Sequence, residues 1–136
     1  MSTSSDSNIN VTDSKPTVAL VDDDTSMLRA LARLVHTAGY SVKAYASAPE
    51  FLDDCIASAV QCVVVDVQMP GMDGFELAAA LAQRGVSIPM LYITAHDSPW
   101  AREKSVDARA QGFLVKPFDP KELLGIISGI VQPECA

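Results

Sequence analysis

Five short apolar runs, most of them rich in β-branched residues, recur along the chain with helix-like periodicity between them. They are "TVALV" (17–21), "SVKAY" (41–45), "CVVVD" (62–66), "MLYI" (90–93) and "GFLV" (112–115). Runs that stay apolar nearly throughout suit strands buried on both faces, as in a parallel sheet covered by helices. The intervening stretches carry helix start signals. "SAPE" (47–50) and "DGFE" (73–76) read as capping boxes, a Ser or Asp followed three residues later by Glu. "SPW" (98–100) offers a Ser cap with Pro in the first turn, and "DPKE" (119–122) combines an Asp cap, Pro and Glu. Met27 to Ala38 places Leu28, Leu31, Val35 and Ala38 on one face, with Gly39 as a stop. The last helix is expected to bury Leu123, Leu124, Ile126, Ile127 and Ile130. Strand and helix thus alternate five times. With right-handed crossovers, this order predicts an α/β domain with a doubly wound five-stranded parallel sheet and helices on both faces.

The 136 residues fit one domain, and 49% apolar content suffices for a core. A formal charge of −7 argues against direct nucleic acid binding, which relies on Lys and Arg, and suits a cationic partner or cofactor. No apolar run approaches the roughly 20 residues that span a membrane. The polar start, "MSTSSDSNINVTDSK", lacks the apolar stretch of a signal peptide and reads as a disordered tail (1–15) on a cytoplasmic protein. Residues 132–136 read as a second tail, with no output domain expected after the fifth helix. Cys55, Cys62 and Cys135 have no metal-site spacing and do not make an even disulfide set. Cys55 and Cys62 read as reduced packing residues, and Cys135 as an exposed thiol.

In open α/β sheets, sites form at the carboxyl ends of the strands, near the point where strand order reverses. Asp22, Asp23 and Asp24 end the first strand, Asp66 the third, Thr94 the fourth and Lys116 the fifth. Two bare carboxylates about 4 Å apart repel by ~4 kcal/mol at an effective dielectric of 20. A hard divalent cation relieves that penalty, and Mg²⁺ prefers oxygen ligands. Asp24 reads as a helix cap rather than a ligand. A carboxylate flanked by Mg²⁺, Lys116 and Thr94 suits phosphoryl transfer, with Asp66 as nucleophile forming an acyl phosphate.

"VDDD", "DVQMPGMDGFEL", "ITA" and "KPF" together resemble the receiver domain of two-component response regulators, from about Lys15 to Val131. The resemblance implies a (βα)5 flavodoxin-like domain over residues 16–131 with strand order 2-1-3-4-5. It implies that Asp66 accepts a phosphoryl group from the phosphohistidine of a sensor histidine kinase or phosphotransfer protein. Asp23 would bind Mg²⁺ directly, Asp22 mostly through water, and the Gln68 backbone carbonyl would add a ligand. Thr94 would swing to bond the phosphoryl group and Lys116 would pair with it. Phe113 matches the aromatic that moves inward on activation, and Lys116–Pro117 a cis bond. Phosphorylation would shift the surface of the fourth helix, fifth strand and fifth helix to control a downstream protein or a homodimer. Such a domain is no enzyme beyond its own phosphorylation and dephosphorylation. Two features depart from the pattern: Phe113 stands where Tyr is common, and "ARAQGF" places its Gly late in the link from helix to strand.

Three other readings use the same residues. The segment "VDDDTSMLRALARLVHTAGYSVKAYASAPEFL" looks like receivers that carry a LuxR-type DNA-binding output, so the chain could be half of such a regulator. An aspartyl-phosphate phosphohydrolase would usually have a second acid where Gln68 stands. A flavin binder would need a phosphate loop after the first strand, which is missing.

Overall fold

The computed structural model describes residues 15–54 and 59–131. The first tail apart from Lys15, Cys55, and the second tail with Cys135 lie outside the described residues. The chain alternates β1 (Thr17–Val21), α1 (Thr25–Thr37), β2 (Ser41–Tyr45), α2 (Ala48–Asp53), β3 (Cys62–Asp66), α3 (Gly74–Gln83), β4 (Met90–Thr94), α4 (Pro99–Asp107), β5 (Gly112–Val115) and α5 (Pro120–Val131). The strands form one parallel sheet in the order β2-β1-β3-β4-β5. This is the doubly wound (βα)5 architecture read from the sequence.

Alternate residues of a strand face opposite sides, so each apolar run feeds two cores. Val18, Leu20, Val64, Leu91 and Ile93 pack with Leu31 and Val35 of α1 and Leu123 and Ile127 of α5. Ala19, Val21, Val63, Val65 and Tyr92 pack with Phe51 of α2 and Leu77 and Leu81 of α3. That two-sided burial explains why these runs show no polar alternation. The edge strand β2 has solvent on part of its length, and its Lys43 and Ala44 are exposed.

The caps form at the signalled residues, but "SAPE" makes only half of its expected box, because the Glu50 carboxylate accepts from the Ala46 N–H instead of the Ser47 N–H. Ser47 accepts from the Glu50 N–H, and Ser98 from the Ala101 N–H. Asp73 and Glu76 make the full reciprocal capping box on α3. Differences lie at margins. α1 begins two residues before Met27, because Asp24 caps it by accepting from the Ser26 and Met27 N–H groups at 3.0 and 3.2 Å. Ala38 is exposed past the helix end rather than on its buried face, and Leu28 is only half-buried. Thr94 closes β4, one residue past the apolar run, as its place at the strand end implied. In α5, Leu123 and Ile127 are fully buried, while Leu124, Ile126 and Ile130 are half-buried. Among the described residues, no helix is long and apolar enough to cross a membrane.

Candidate functional site

The switch in strand order falls between β1 and β3. Asp22 follows β1, Asp66 ends β3 and Lys116 follows β5, so three separated segments meet above that point. Gly74 makes the geometry possible at α3. A Cβ there would lie 2.9 Å from the Asp66 carbonyl oxygen and touch Tyr92 and Val65, so only glycine lets the helix start this close behind Asp66.

The Lys116 Nζ lies 3.1 Å from Asp66 Oδ2 and 3.3 Å from Asp22 Oδ2. The other carboxylate oxygens hold backbone: Asp22 Oδ1 accepts from the Asp24 N–H at 2.9 Å, and Asp66 Oδ1 from the Gln68 N–H at 3.0 Å. These bonds fix both carboxylates in orientation. Asp22 and Asp66 are buried, while Asp23 is exposed beside them. One oxygen from each of Asp22, Asp23 and Asp66 lies within 4.8 Å of the others. The side chain of Asp24 is spent on capping α1, while Asp22 and Asp66 share the Lys116 ammonium and Asp23 stands beside them without it.

Burial pushes the Asp22 carboxyl up to about 6, and the charge of Asp66 adds to it; the Asp24 N–H bond and Lys116 oppose the rise. Burial works against the Lys116 charge, yet the hydrogen bonds and charges of Asp66 and Asp22 prevail and raise its pKa. The cluster is therefore undercompensated. A divalent cation with oxygen ligands would supply the missing charge, and an all-carboxylate donor set suits Mg²⁺. The residues present fit such an ion.

Thr94 is fully buried, and its hydroxyl is occupied within its own loop. It donates to the His96 carbonyl and accepts from the His96 N–H, both at 3.1 Å. Its backbone carbonyl accepts from the Lys116 N–H at 2.7 Å, which ties β4 to the β5 end. The Lys116–Pro117 peptide is cis. Phe113, half-buried on β5, pairs in register with Tyr92 and lies under the Arg102 guanidinium, 4.8 Å from ring centroid to Cζ. Arg102 in turn forks onto Asp97, with bonds of 2.7 and 3.1 Å. Sequence reasoning did not single out Asp97 or Arg102; the available signal was an opposite charge pair straddling the Ser98 cap. His36 and His96 are exposed. Tyr92 is wholly buried and stacks with Phe75, which also meets the half-exposed Trp100.

The doubly wound sheet thus carries a carboxylate trio and a bridging lysine at its switch point. The chain matches the response regulator receiver domain family over residues 18–128, and it belongs to that family. Its general role is that of a phosphoacceptor switch in two-component signalling. It is 40% identical over 123 residues to the response regulator protein TodT of Pseudomonas putida, covering 90% of this chain and 54% of TodT. It is 40% identical over 116 residues to TmoT of Ectopseudomonas mendocina, covering 85% of this chain and 52% of TmoT. The chain thus spans about half the length of these curated relatives. Among solved structures, the chemotaxis protein CheY4 of Vibrio cholerae superposes with a TM-score of 0.78 at 30% identity, covering 85% of this chain and 98% of CheY4.

Proposed function

We propose that Asp66 is the phosphoacceptor and that a phosphohistidine of a sensor kinase or phosphotransfer protein is the donor. The observation that carries this reading is Lys116 bridging Asp66 and Asp22 inside a cluster of three carboxylates at the sheet's switch point. An Asp66 oxygen attacks phosphorus, the O–P bond forms and the P–N bond to imidazole breaks. The electron pair leaves with the imidazole nitrogen, which is thereby left neutral or takes up a proton. Asp22, Asp23, Asp66 and the Gln68 backbone carbonyl would hold Mg²⁺, which neutralises phosphoryl oxygens when bound.

The chain's own groups do the rest. The Gln68 N–H fixes which Asp66 oxygen is held by backbone and leaves Oδ2 toward Lys116. Lys116 passes from pairing two carboxylates to pairing a phosphoryl oxygen, a short move for a flexible stem. Thr94 exchanges its loop bonds to His96 for one to the phosphoryl group. Phe113 follows the space that Thr94 vacates. Both motions bias a pre-existing equilibrium. The readout is the surface of α4, β5 and α5, controlling a protein partner or a second copy. A second arrangement is supported by length: since the chain spans about half of TodT and TmoT, the same switch would control an attached segment in a longer protein.

Intact mass after incubation with acetyl phosphate and Mg²⁺ tests the acceptor. One phosphoryl adduct on wild type and none on Asp66→Asn is expected. An adduct of equal yield on Asp66→Asn would overturn the assignment.

A further inference from the structure

The β4–α4 loop is fastened from an unexpected side. Asp97 lies three residues after Thr94 and directly before the α4 cap Ser98. Arg102, one turn into α4, reaches back to grip Asp97 with two hydrogen bonds of 2.7 and 3.1 Å. The same guanidinium lies 4.8 Å from the Phe113 ring centroid on β5. One side chain therefore joins the loop that carries Thr94, the helix that follows it and the aromatic on the neighbouring strand. A planar fork can grip a carboxylate and cover a ring at once, which a point-charge ammonium cannot do as well.

In this arrangement the Thr94 hydroxyl is committed to His96 in both directions. Phosphoryl binding requires it to let go. Because Asp97 adjoins His96, whatever fixes Asp97 also restrains the turn that holds the Thr94 hydroxyl. Phe113 has no hydroxyl with which to fix its own position, so the ring's place depends on packing and on the cation above it.

We infer that Arg102 is a positioning residue that holds the β4–α4 loop and Phe113 in the conformation with Thr94 turned away from the phosphoryl site, and so sets how readily the domain switches. The inference rests on Asp66 as acceptor and on Thr94 and Phe113 as the moving parts. Removing the clasp lowers the population of the resting form, and a ligand that needs the other form then binds more tightly.

Calorimetric titration with beryllium fluoride in the presence of Mg²⁺ reads this directly, because the probe mimics a phosphoryl group on a carboxylate. Arg102→Met keeps a long side chain over the ring but removes fork and charge. It is expected to tighten binding by roughly two- to fivefold, the scale of a solvent-exposed ion pair. Asp97→Asn should shift affinity the same way by less, since the cation stays over Phe113. Arg102→Lys should lie nearer wild type, and the Arg102→Met/Asp97→Asn pair should add little to Arg102→Met. Loss of a merely structural contact would lower the melting temperature without tightening the probe. If wild type binds and Arg102→Met binds equally or more weakly, the inference is wrong and the Asp66 reading stands. If wild type itself binds no probe, the Asp66 reading fails and this inference falls with it.

Discussion

α4 and α5 border the same edge strand and are held by different means. α5 presses Ile126 against Gly112 and buries Leu123 and Ile127 completely beneath the sheet. α4 buries only Ala101 and Ser105, and leaves Trp100 and Val106 at 51% and 75% exposure. A fully buried Leu or Ile contributes about 1.5–3 kcal/mol of transfer free energy, and an alanine methyl far less. Just past the end of α4 the chain turns through Arg109, whose φ of +57° is the left-handed conformation usually left to glycine. The apolar anchorage of α4 is small, Ala101 and the Trp100 contact with Phe75, and the exposed Arg102 clasp adds a link from α4 to Phe113 of β5. A helix with few buried contacts opens at lower free energy than one anchored in the core. One side of β5 is thus built to stay and the other to move, and the movable side adjoins Thr94.

The largest expected effect separates the two helices outright. Leu123→Ala or Ile127→Ala should cost about 2–5 kcal/mol in denaturant unfolding, whereas Val106→Ala should stay within about 0.5 kcal/mol. Comparable losses at both helices would remove the distinction. The acid cluster differs from both, since it is held against its own charge. Mg²⁺ at a hundredfold excess over its dissociation constant should add about 2.7 kcal/mol of stability, and Asp23→Ala should remove most of it. An unchanged melting temperature in millimolar Mg²⁺ would deny the cation site.

Acid should relieve the same strain without metal. Asp22 takes up a proton near pH 6 in the folded chain, but only near 3.8 when unfolded. Between those values the folded state binds the extra proton. This contribution to stability is complete below about pH 3.8 and is lost as pH rises through about 6. Metal-free wild type should therefore gain stability on going from pH 7 to 5. Asp22→Asn should flatten that slope, and an equally steep slope in the variant would place the titration elsewhere. The smallest effect belongs to the end of α4. Arg109→Gly should stabilise by about 0.5–1 kcal/mol by removing the left-handed penalty, less the added freedom of the unfolded chain. A loss of stability would mean that the Arg109 side chain matters more than its backbone.

Much of this was legible in the residues. Unbroken apolar runs announced strands buried on both faces, and Ser47, Asp73 and Ser98 announced the helix starts by their own hydrogen-bonding chemistry. The convergence of Asp22, Asp66 and Lys116 followed from topology, because all three end strands of one parallel sheet. The start of α1 was marked by the Asp24 cap and not by the apolar face, because Thr25 and Ser26 lie before the apolar periodicity begins. The commitment of the Thr94 hydroxyl to His96 depends on a loop conformation that no pattern encodes. Arg102 over Phe113 was hidden for a related reason: it joins a helix to a strand across sequence, and its partner Asp97 lies outside helical spacing. The cluster was readable because strand ends are predictable places, and the clasp was not because loops are not.

Hydrogen exchange read by mass spectrometry, with acetyl phosphate and Mg²⁺, on wild type beside Asp66→Asn tests the central claim most directly. Wild type should change protection in residues 95–107, spanning the β4–α4 loop and α4, while the buried turns of α5 around Leu123 and Ile127 keep theirs and Asp66→Asn shows no change. A phosphorylated wild type with unaltered exchange in α4, or an equal change in Asp66→Asn, would contradict a switch driven from Asp66 through the weakly held side of β5.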